Sequence, residues 1–268
     1  MESLATRIGL RIWAALILIF LFFPILLIFF YAFNTSNIES WPIPGLTLKW
    51  FGDTWSNPEV QSALVLSIQA GLAATAIALL LGSFAAFAIH RLAFFGREVV
   101  SLMFILPLAL PGIVTGIALN SFFSFGGLQL SLATIVVGHT TFCIVVVYNN
   151  VLARLRRTQG SLIEAAMDLG ANGFQTFRDI TLPLISTAVV SGALLAFALS
   201  FDEVIVTTFV AGAQSTLPIW IFGQIRHGVL LPEVNVVVSF VILVTVIPVV
   251  VAARLTGGSG AARVQAAR

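Results

Sequence analysis

The sequence predicts an all-α integral membrane protein with six transmembrane helices and with both chain ends in the cytoplasm. Hydrophobic residues make up 59% of the 268 residues and charged residues only 9%, whereas soluble domains are roughly 45 to 50% apolar. Six stretches are apolar over the roughly 20 residues that a helix needs to cross a bilayer. The basic residues fall almost entirely in alternate loops between these stretches, which is typical of a membrane topology.

The predicted spans are separated by loops that contain most of the charged residues. They run over residues 12–33, 62–89, 99–122, 131–152, 184–211 and 234–253. The first is longer than the apolar core of a signal peptide, which has about 7 to 15 residues, and no small-x-small cleavage pattern accompanies it. We therefore expect it to be retained as the first span.

Small residues follow one face of the second span. Ala70, Ala74, Ala78, Gly82 and Ala86 are spaced four residues apart, and residues at that spacing share one side of a helix. Small side chains let a neighbouring helix approach closely. The alternative is an alanine-rich span without a special partner.

Prolines and glycines interrupt the third span. The segment LPLALPGIVTG, residues 106–116, carries Pro107, Pro111, Gly112 and Gly116 at membrane depth. Backbone groups left without partners are costly against lipid, so the interruption should face protein or a water-filled path. A structural kink packed by neighbouring helices is the alternative.

The positive-inside rule sets the predicted orientation. The basic residues assigned to one side are Arg7, Arg11, Arg91, Arg97, Arg154, Arg156, Arg157, Arg178, Arg254, Arg263 and Arg268. Only Lys49 and Arg226 fall on the other side, so both termini are predicted to be cytoplasmic. We expect the tryptophans of the outer loop in the aromatic belt at the lipid headgroups. They are Trp41, Trp50 and Trp55.

Composition also excludes several classes of function. The single cysteine, Cys143, leaves no pair for a disulfide within the chain and no thiolate cluster for a metal. The single lysine, Lys49, does not follow a glycine, so a phosphate-binding loop is absent and nucleotide chemistry must belong to another polypeptide. The basic residues are scattered among the spans, which does not indicate a nucleic-acid surface. We expect no catalytic residue, metal or cofactor on this chain.

A polar segment interrupts the long inner connection between the fourth and fifth spans. EAAMDLGANG, residues 164–173, carries two carboxylates and two glycines between apolar stretches. Ser161, three residues before Glu164, matches a capping box and predicts a short helix over residues 161–169. Gly170 is suited to the left-handed conformation that ends a helix.

A second short helix is predicted from Asn172 or Gly173 toward Ile180, after which Leu182 and Pro183 restart the chain into the fifth span. The two short helices are expected to lie at an angle on the cytoplasmic face. The smooth side of the first is formed by Leu162, Ala165, Ala166 and Leu169.

The spacing in this segment resembles the signature of the permease subunits of binding-protein-dependent ABC importers. That signature reads E-A-A-x-x-x-G, nine residues, I-x-L-P, and the matching residues are Glu164, Ala165, Ala166, Gly170, Ile180, Leu182 and Pro183. In that family the segment is the coupling helix, which docks in a groove on a cytoplasmic ATPase. The resemblance implies that role for Glu164, Ala165, Ala166, Asp168, Gly170 and Ala171.

The resemblance extends over nearly the whole chain and points to the second permease of spermidine/putrescine importers. Besides the coupling segment, it is carried by PILLIFFYAFN (24–34), GLTLKWF (45–51), GHTTFCIVVVYN (138–149), LSFDEVIVTTFVAG (199–212) and LPEVNVVVSFVILV (231–244). It implies a type I importer permease fold, with one permease domain over residues 1–256, a coupling segment over about 160–183 and a disordered tail over 257–268. The implied setting is a bacterial inner membrane.

The resemblance also implies partners. They are a second and different permease, two copies of an ATPase that uses ATP and Mg²⁺, a periplasmic or lipid-anchored binding protein, and membrane lipid.

The expected cargo is a small cation because FDEV, residues 201–204, places Asp202 and Glu203 near the outer end of the fifth span. Adjacent carboxylates there are costly unless they face water, a cation or a partner helix. On a continuous helix they point about 100° apart, so only one faces the path. The alternatives are a marker of the helix end and an inter-subunit salt bridge. The candidate pathway residues are Asp202, Glu203, Pro111 and His139.

Two other functions stay open. One alternative is an importer permease for another small solute, such as an amino-acid derivative or an opine. An ion-coupled secondary transporter requires ionisable residues in mid-span, where His139 is a candidate for a proton relay. The alternative role for His139 is a hydrogen bond between helices.

Overall fold

The computed structural model describes residues 4–92, 94–158, 160–228 and 230–245. Apart from an isolated β-bridge between Asn34 and Leu46, these residues form helices and loops. The helices are α1 (Leu4–Tyr31), α2 (Lys49–Ser56), α3 (Pro58–Arg91), α4 (Arg97–Ala109), α5 (Gly112–Phe125), α6 (Leu132–Arg156), α7 (Gly160–Asp168), α8 (Gly173–Thr176), a π-helical turn (Phe177–Thr181), α9 (Leu182–Phe201), α10 (Ile205–Val210), α11 (Leu217–His227) and α12 (Leu231–Thr245). The predicted all-α class is confirmed.

Within the described residues, four continuous helical segments are long and apolar enough to cross a membrane. They are Thr6–Tyr31, Pro58–Arg91, Leu132–Arg156 and Gly173–Phe201, and they correspond to predicted spans one, two, four and five. The bent pair of α4 and α5 adds a fifth crossing if it is counted as one span. The shorter apolar helix α12 begins the sixth predicted span, whose remainder, like the predicted tail, lies outside the described residues.

The third predicted span is not one straight helix. α4 and α5 are separated by Leu110 and Pro111, and the two helices are bent by 102° at this break. Leu110 is extended, with φ −79° and ψ 142°, because the ring of a following proline disfavours the helical conformation. The expected interruption of the third span is confirmed.

The fifth predicted span is interrupted at its distal end. α9 ends at Phe201 and α10 begins at Ile205, so residues 202–204 break the helix that the sequence predicts over 184–211. The three residues of this break are the last three of the FDEV motif, and the side chain of Glu203 accepts a hydrogen bond from the first turn of the next helix. The prediction of a continuous fifth helix is therefore wrong.

The fifth span also begins earlier than predicted. α8, the π-helical turn and α9 follow one another without a gap, so Leu182 and Pro183 do not restart the chain. In the π-helical turn the N–H of Leu182 bonds to the carbonyl of Phe177, five residues earlier. The wider turn accommodates Pro183, which has no N–H to give to an α-helical ladder. The helix therefore passes through the proline instead of ending there.

The chain divides into two compact units, one formed by residues up to Val60 and from Ile221 onward, and the other by Gln61–Trp220. In the first unit, Trp50 is buried, and its indole N–H donates a hydrogen bond of 2.6 Å to the carbonyl of Asn34. The ring packs with Val236.

The predicted aromatic belt is therefore wrong for Trp50, because its polar atom has a buried backbone acceptor instead of the headgroup region. Trp41 and Trp55 are exposed.

In the second unit the small-residue face of α3 is buried. The alanines of this face are at most 1% exposed. A Cβ atom at Gly82 would lie 3.0 Å from the carbonyl oxygen of Ile144 on α6. α3 and α6 thus pack with their backbones in close approach, which confirms the prediction for this stripe.

Candidate functional site

The first part of the candidate site is α7. The sequence predicts this helix over residues 161–169, and the structure has it at Gly160–Asp168. Ser161 lies inside the first turn because the chain is already helical at Gly160, so the predicted capping box is wrong. Glu164 and Asp168 are exposed and form no ion pair within the part of the chain that the structure describes. Both carboxylates are therefore available to a partner.

Apolar side chains of α7 and of Leu169, the residue that follows it, are also exposed. Leu162, Met167 and Leu169 are 48%, 49% and 90% exposed, and Ala165 is exposed, whereas Ala166 is half-buried. Burying a side chain of this size stabilises a protein by roughly 1.5 to 3 kcal/mol relative to leaving it in water. The helix is therefore suited to contact with another protein surface.

Gly170 ends α7 as the sequence predicts. Its φ is +89°, a conformation that glycine adopts at little cost and other residues rarely. The N–H of Gly170 bonds to the carbonyl of Met167 at 2.9 Å, and the N–H of Ala171 bonds to that of Ala166 at 3.0 Å. This pair of hydrogen bonds is the Schellman motif, which satisfies carbonyls at the end of a helix. No atom approaches a Cβ built at Gly170 within 4 Å, so only the backbone requires glycine there.

The next turn is fixed by a reciprocal cap. The side chain of Asn172 accepts from the N–H of Gln175 at 2.9 Å, and the side chain of Gln175 accepts from the N–H of Asn172 at 2.8 Å. This confirms the predicted start of the second short helix. Farther along, the ring of Phe177 contacts that of Phe87 on α3, with 5.6 Å between centroids. The coupling segment is thereby joined to a membrane span at the π-helical turn.

The second part of the candidate site lies where the two interrupted spans meet. α5 packs against α10, and the amide of Asn120 on α5 donates a 2.6 Å hydrogen bond to the carbonyl of Phe209 on α10. The hydroxyl of Thr134 on α6 donates to the carbonyl of Val210 at 2.7 Å. α10 ends within a turn of these residues, so its last carbonyls need such partners. Pro111 lies at the start of α5 and is exposed.

Asp202 and Glu203 lie in the break between α9 and α10, and their environments differ. The carboxylate of Glu203 accepts from the N–H of Val206 at 2.9 Å and so caps the first turn of α10. Asp202 is exposed, and its carboxylate has no hydrogen-bond or ion-pair partner within the described residues. The expectation of two carboxylates 100° apart on one helix is therefore replaced by one capping group and one exposed group.

His139 is buried on α6 and joins three helical segments. Its Nδ1 is 2.7 Å from the hydroxyl of Ser200 on α9, and its Nε2 is 2.7 Å from the hydroxyl of Thr207 on α10. The Thr207 hydroxyl donates to the carbonyl of Glu203 at 2.7 Å, so Nε2 carries the proton in the bond to Thr207. Of the two roles that the sequence analysis gives for His139, a proton relay and a hydrogen bond between helices, this geometry corresponds to the hydrogen bond.

Sequence reasoning misses several polar residues that hold the two interrupted spans together. They are Asn120, Thr134, Ser200 and Thr207. The available signal is polar residues within apolar stretches, since such residues hydrogen-bond across helices in membranes. Among the described residues, no group of three or more His, Cys, Asp or Glu side chains is arranged to hold a metal ion.

The comparison with protein families gives one match. The family described as "Binding-protein-dependent transport system inner membrane component" matches residues 78–257. Among curated proteins, the chain is 35% identical over 243 residues to the putrescine transport system permease protein PotI of Escherichia coli strain K12. This alignment covers 86% of this chain and 85% of the relative. It is 34% identical over 233 residues to the spermidine/putrescine transport system permease protein PotC of the same strain, covering 86% and 87%.

A solved structure has a similar fold. A chain of a bacterial ABC transporter involved in the import of the acidic polysaccharide alginate superposes with a TM-score of 0.70. The superposition covers 93% of this chain and 98% of that one, at 18% sequence identity. At this identity the likeness concerns the fold alone.

Proposed function

The chain belongs to the family of binding-protein-dependent transport system inner membrane components, and we propose that it forms half of the translocation path of an ATP-driven importer for polyamines. It is a transport component, and ATP hydrolysis belongs to a separate subunit. In this proposal the chain crosses the inner membrane six times with both ends in the cytoplasm, as the distribution of arginines favours.

The coupling segment carries the proposal. α7 exposes both carboxylates and apolar side chains. Its C-terminal end is closed by the Schellman motif at Gly170, and the chain that follows is anchored by the contact of Phe177 with Phe87. A short helix with an exposed mixed surface suits docking into a groove of another protein. We assign this contact to the ATPase, through Glu164, Ala165, Ala166, Asp168, Gly170 and Ala171.

The cargo is proposed from the relatives and from the break in the fifth span. The relatives are named as putrescine and spermidine/putrescine permeases. The exposed Asp202 carboxylate supports a cationic cargo, because a multiply charged amine gains most from an unpaired carboxylate in a passage of low dielectric. Glu203 lies in this break, and His139 forms hydrogen bonds on both sides of it. Pro111 lies at the break in the third span. We assign all three residues to the wall of the path.

The proposed assembly contains this chain, a second and different permease, two ATPase subunits and a binding protein outside the membrane. ATP and Mg²⁺ are bound by the ATPase subunits. The wide exposure of α1, whose spanning segment is not buried in this chain, supports contact with lipid and with a second permease.

Purification of the tagged chain from its native membrane tests the proposal. An ATPase should co-purify, and the reconstituted complex should take up radiolabelled putrescine only when ATP is present inside and the binding protein outside. Uptake that needs an ion gradient but no ATP would assign the chain to the ion-coupled carriers instead. ATP-dependent uptake of another solute but not of putrescine would keep the importer and reject the polyamine cargo.

A further inference from the structure

A basic groove lies between the C-terminal end of α6 and the first half of α9. Its volume is about 360 Å³, within the range of small-ligand sites. The side chains that line it with polar atoms are Asn150, Arg154, Arg157, Thr187 and Ser191, and two alanines complete the wall.

The groove follows from the spacing of residues on the two helices. Asn150, Arg154 and Arg157 are four and three residues apart, so they form one stripe along α6. Thr187 and Ser191 are four residues apart and form the facing stripe on α9. Beyond them, a Cβ built at Gly192 would lie 3.5 Å from the Cα of Val147, so the helices are in close contact there. The groove is the open end of this contact between α6 and α9.

The chemistry of the lining favours an anion. Arg154 donates from Nε to the carbonyl of Leu184 at 2.8 Å, which fixes the side chain across the groove and leaves its two terminal nitrogens for a ligand. Arg157 adds a second guanidinium, and the lining contains no carboxylate. Planar arginine groups recognise phosphate oxygens in a bidentate way. The Ser191 hydroxyl and the Asn150 amide donate to carbonyls of their own helices, so the two guanidinium groups carry the recognition. The same charge repels a polyamine, so the groove is not part of the cargo path.

The position of the groove indicates where the anion comes from. Arg154 lies in the last turn of the apolar helix α6 and Arg157 just after it, and basic residues at the end of a membrane span are expected at the lipid headgroups. The topology proposed above places this end of the helix in the cytoplasmic leaflet, which is rich in anionic lipids. We propose that the groove binds the phosphate of an anionic phospholipid headgroup next to the coupling segment.

Native mass spectrometry of the complete detergent-purified transporter tests this site with phosphatidylglycerol, phosphatidylcholine and inorganic phosphate as probes. The unmodified complex should retain phosphatidylglycerol in preference to phosphatidylcholine. Arg157→Gln should weaken this binding about tenfold, as expected for the loss of a charge-assisted hydrogen bond. Thr187→Glu should abolish it, because the new carboxylate pairs with the arginines. Neither variant replaces Arg154 or Leu184, and Arg97→Gln is the matched arginine control, which should bind like the unmodified complex.

The outcomes separate the possible occupants. If inorganic phosphate binds with the same dependence on Arg157 but phosphatidylglycerol does not, the site is a phosphate site and the lipid assignment is overturned. If the variants lose a protein subunit, the groove is a protein interface. Equal lipid binding by all variants also overturns the proposal. Putrescine uptake is measured on the unmodified complex in parallel, so a failure of the proposed transport function is seen independently of the groove.

Discussion

Gly116 on α5 lies directly against the ring of Phe209 on α10. A Cβ atom at residue 116 would come within 2.5 Å of the ring Cδ2 and 3.2 Å of the Cβ of Phe209. Because the near end of the phenylalanine side chain is contacted as well as its ring, a rotation of the ring does not relieve the overlap. Contact between the two interrupted spans therefore depends on the absence of a side chain at residue 116.

We predict that Gly116→Ala forces α5 and α10 apart and destabilises the transporter by about 1 to 3 kcal/mol, the usual cost of overpacking. Putrescine uptake should fall, while membrane insertion and ATPase association persist. Gly112→Ala is the control, since a Cβ there meets the side chain of Ile205 at an ordinary 3.4 Å. Thermal unfolding of the purified complex and uptake in proteoliposomes are the measurements. Equal stability of the two variants would contradict the tight contact.

Gly170→Val is predicted to weaken docking of the ATPase, so that transport and stimulated ATP hydrolysis fall together. Valine at φ +89° costs about 1 to 2 kcal/mol of backbone strain, so the last turn of α7 unwinds and its orientation toward the ATPase changes. Substrate-stimulated ATP hydrolysis and uptake should both decrease, with normal insertion. Gly170→Asn should be milder, because asparagine tolerates this conformation better. Gly173→Ala is the control, since that glycine has no positive φ and free space around its Cα.

Stimulated hydrolysis at the unmodified rate in Gly170→Val would show that the geometry of this turn does not matter for coupling.

The orientation of the chain is testable with single cysteines. A cysteine at Asn57 should react with a membrane-impermeant thiol reagent added outside intact cells, and a cysteine at Gly160 should react only after the membrane is opened. The native Cys143 is buried, so the unmodified chain provides a background of low labelling. The reverse pattern would invert the topology and place the coupling segment outside the cell.

The sequence predicts those features that arise from local patterns. Gly170 is identifiable because a glycine after a short amphipathic run commonly takes a positive φ, and the alanine stripe of α3 is identifiable because a spacing of four residues defines a helix face. Both depend on residues close together in the chain.

Features that depend on distant residues are not predictable in this way. The break at residues 202–204 is flanked by apolar residues on both sides, so hydropathy predicts one continuous helix through it. In the structure, the break is stabilised by the hydrogen bond between His139 and Ser200 and by the one that the N–H of Val206 donates to the carboxylate of Glu203. Likewise, Trp50 lies in a stretch of sequence rich in tryptophan, and its burial and its hydrogen bond to the carbonyl of Asn34 become evident only in the structure.

The two carboxylates of the FDEV segment are predicted to differ in function. Glu203 holds the first turn of α10 through the N–H of Val206, so Glu203→Ala should remove a helix cap and destabilise the complex by about 0.5 to 2 kcal/mol. Glu203→Gln retains a carbonyl oxygen that accepts the same hydrogen bond, and it should be close to the unmodified protein in stability. Thermal unfolding of the two variants measures the difference, and equal stability would contradict the capping role.

Asp202→Asn is predicted to impair cation uptake without a loss of stability. The Asp202 carboxylate is exposed and has no protein partner within the described residues, so its charge contributes little to folding and is free to attract the cargo. Losing one unit charge near a multiply charged amine should weaken its apparent affinity by roughly tenfold or more at the intermediate dielectric of such a site. Uptake of radiolabelled putrescine in proteoliposomes, with thermal unfolding as the control, measures both effects, and Glu203→Gln is the matched variant that removes a neighbouring charge but keeps the cap. A stable Asp202→Asn complex with unmodified uptake would exclude this carboxylate from the path, and a stronger loss in Glu203→Gln would assign the cation to the capping residue instead.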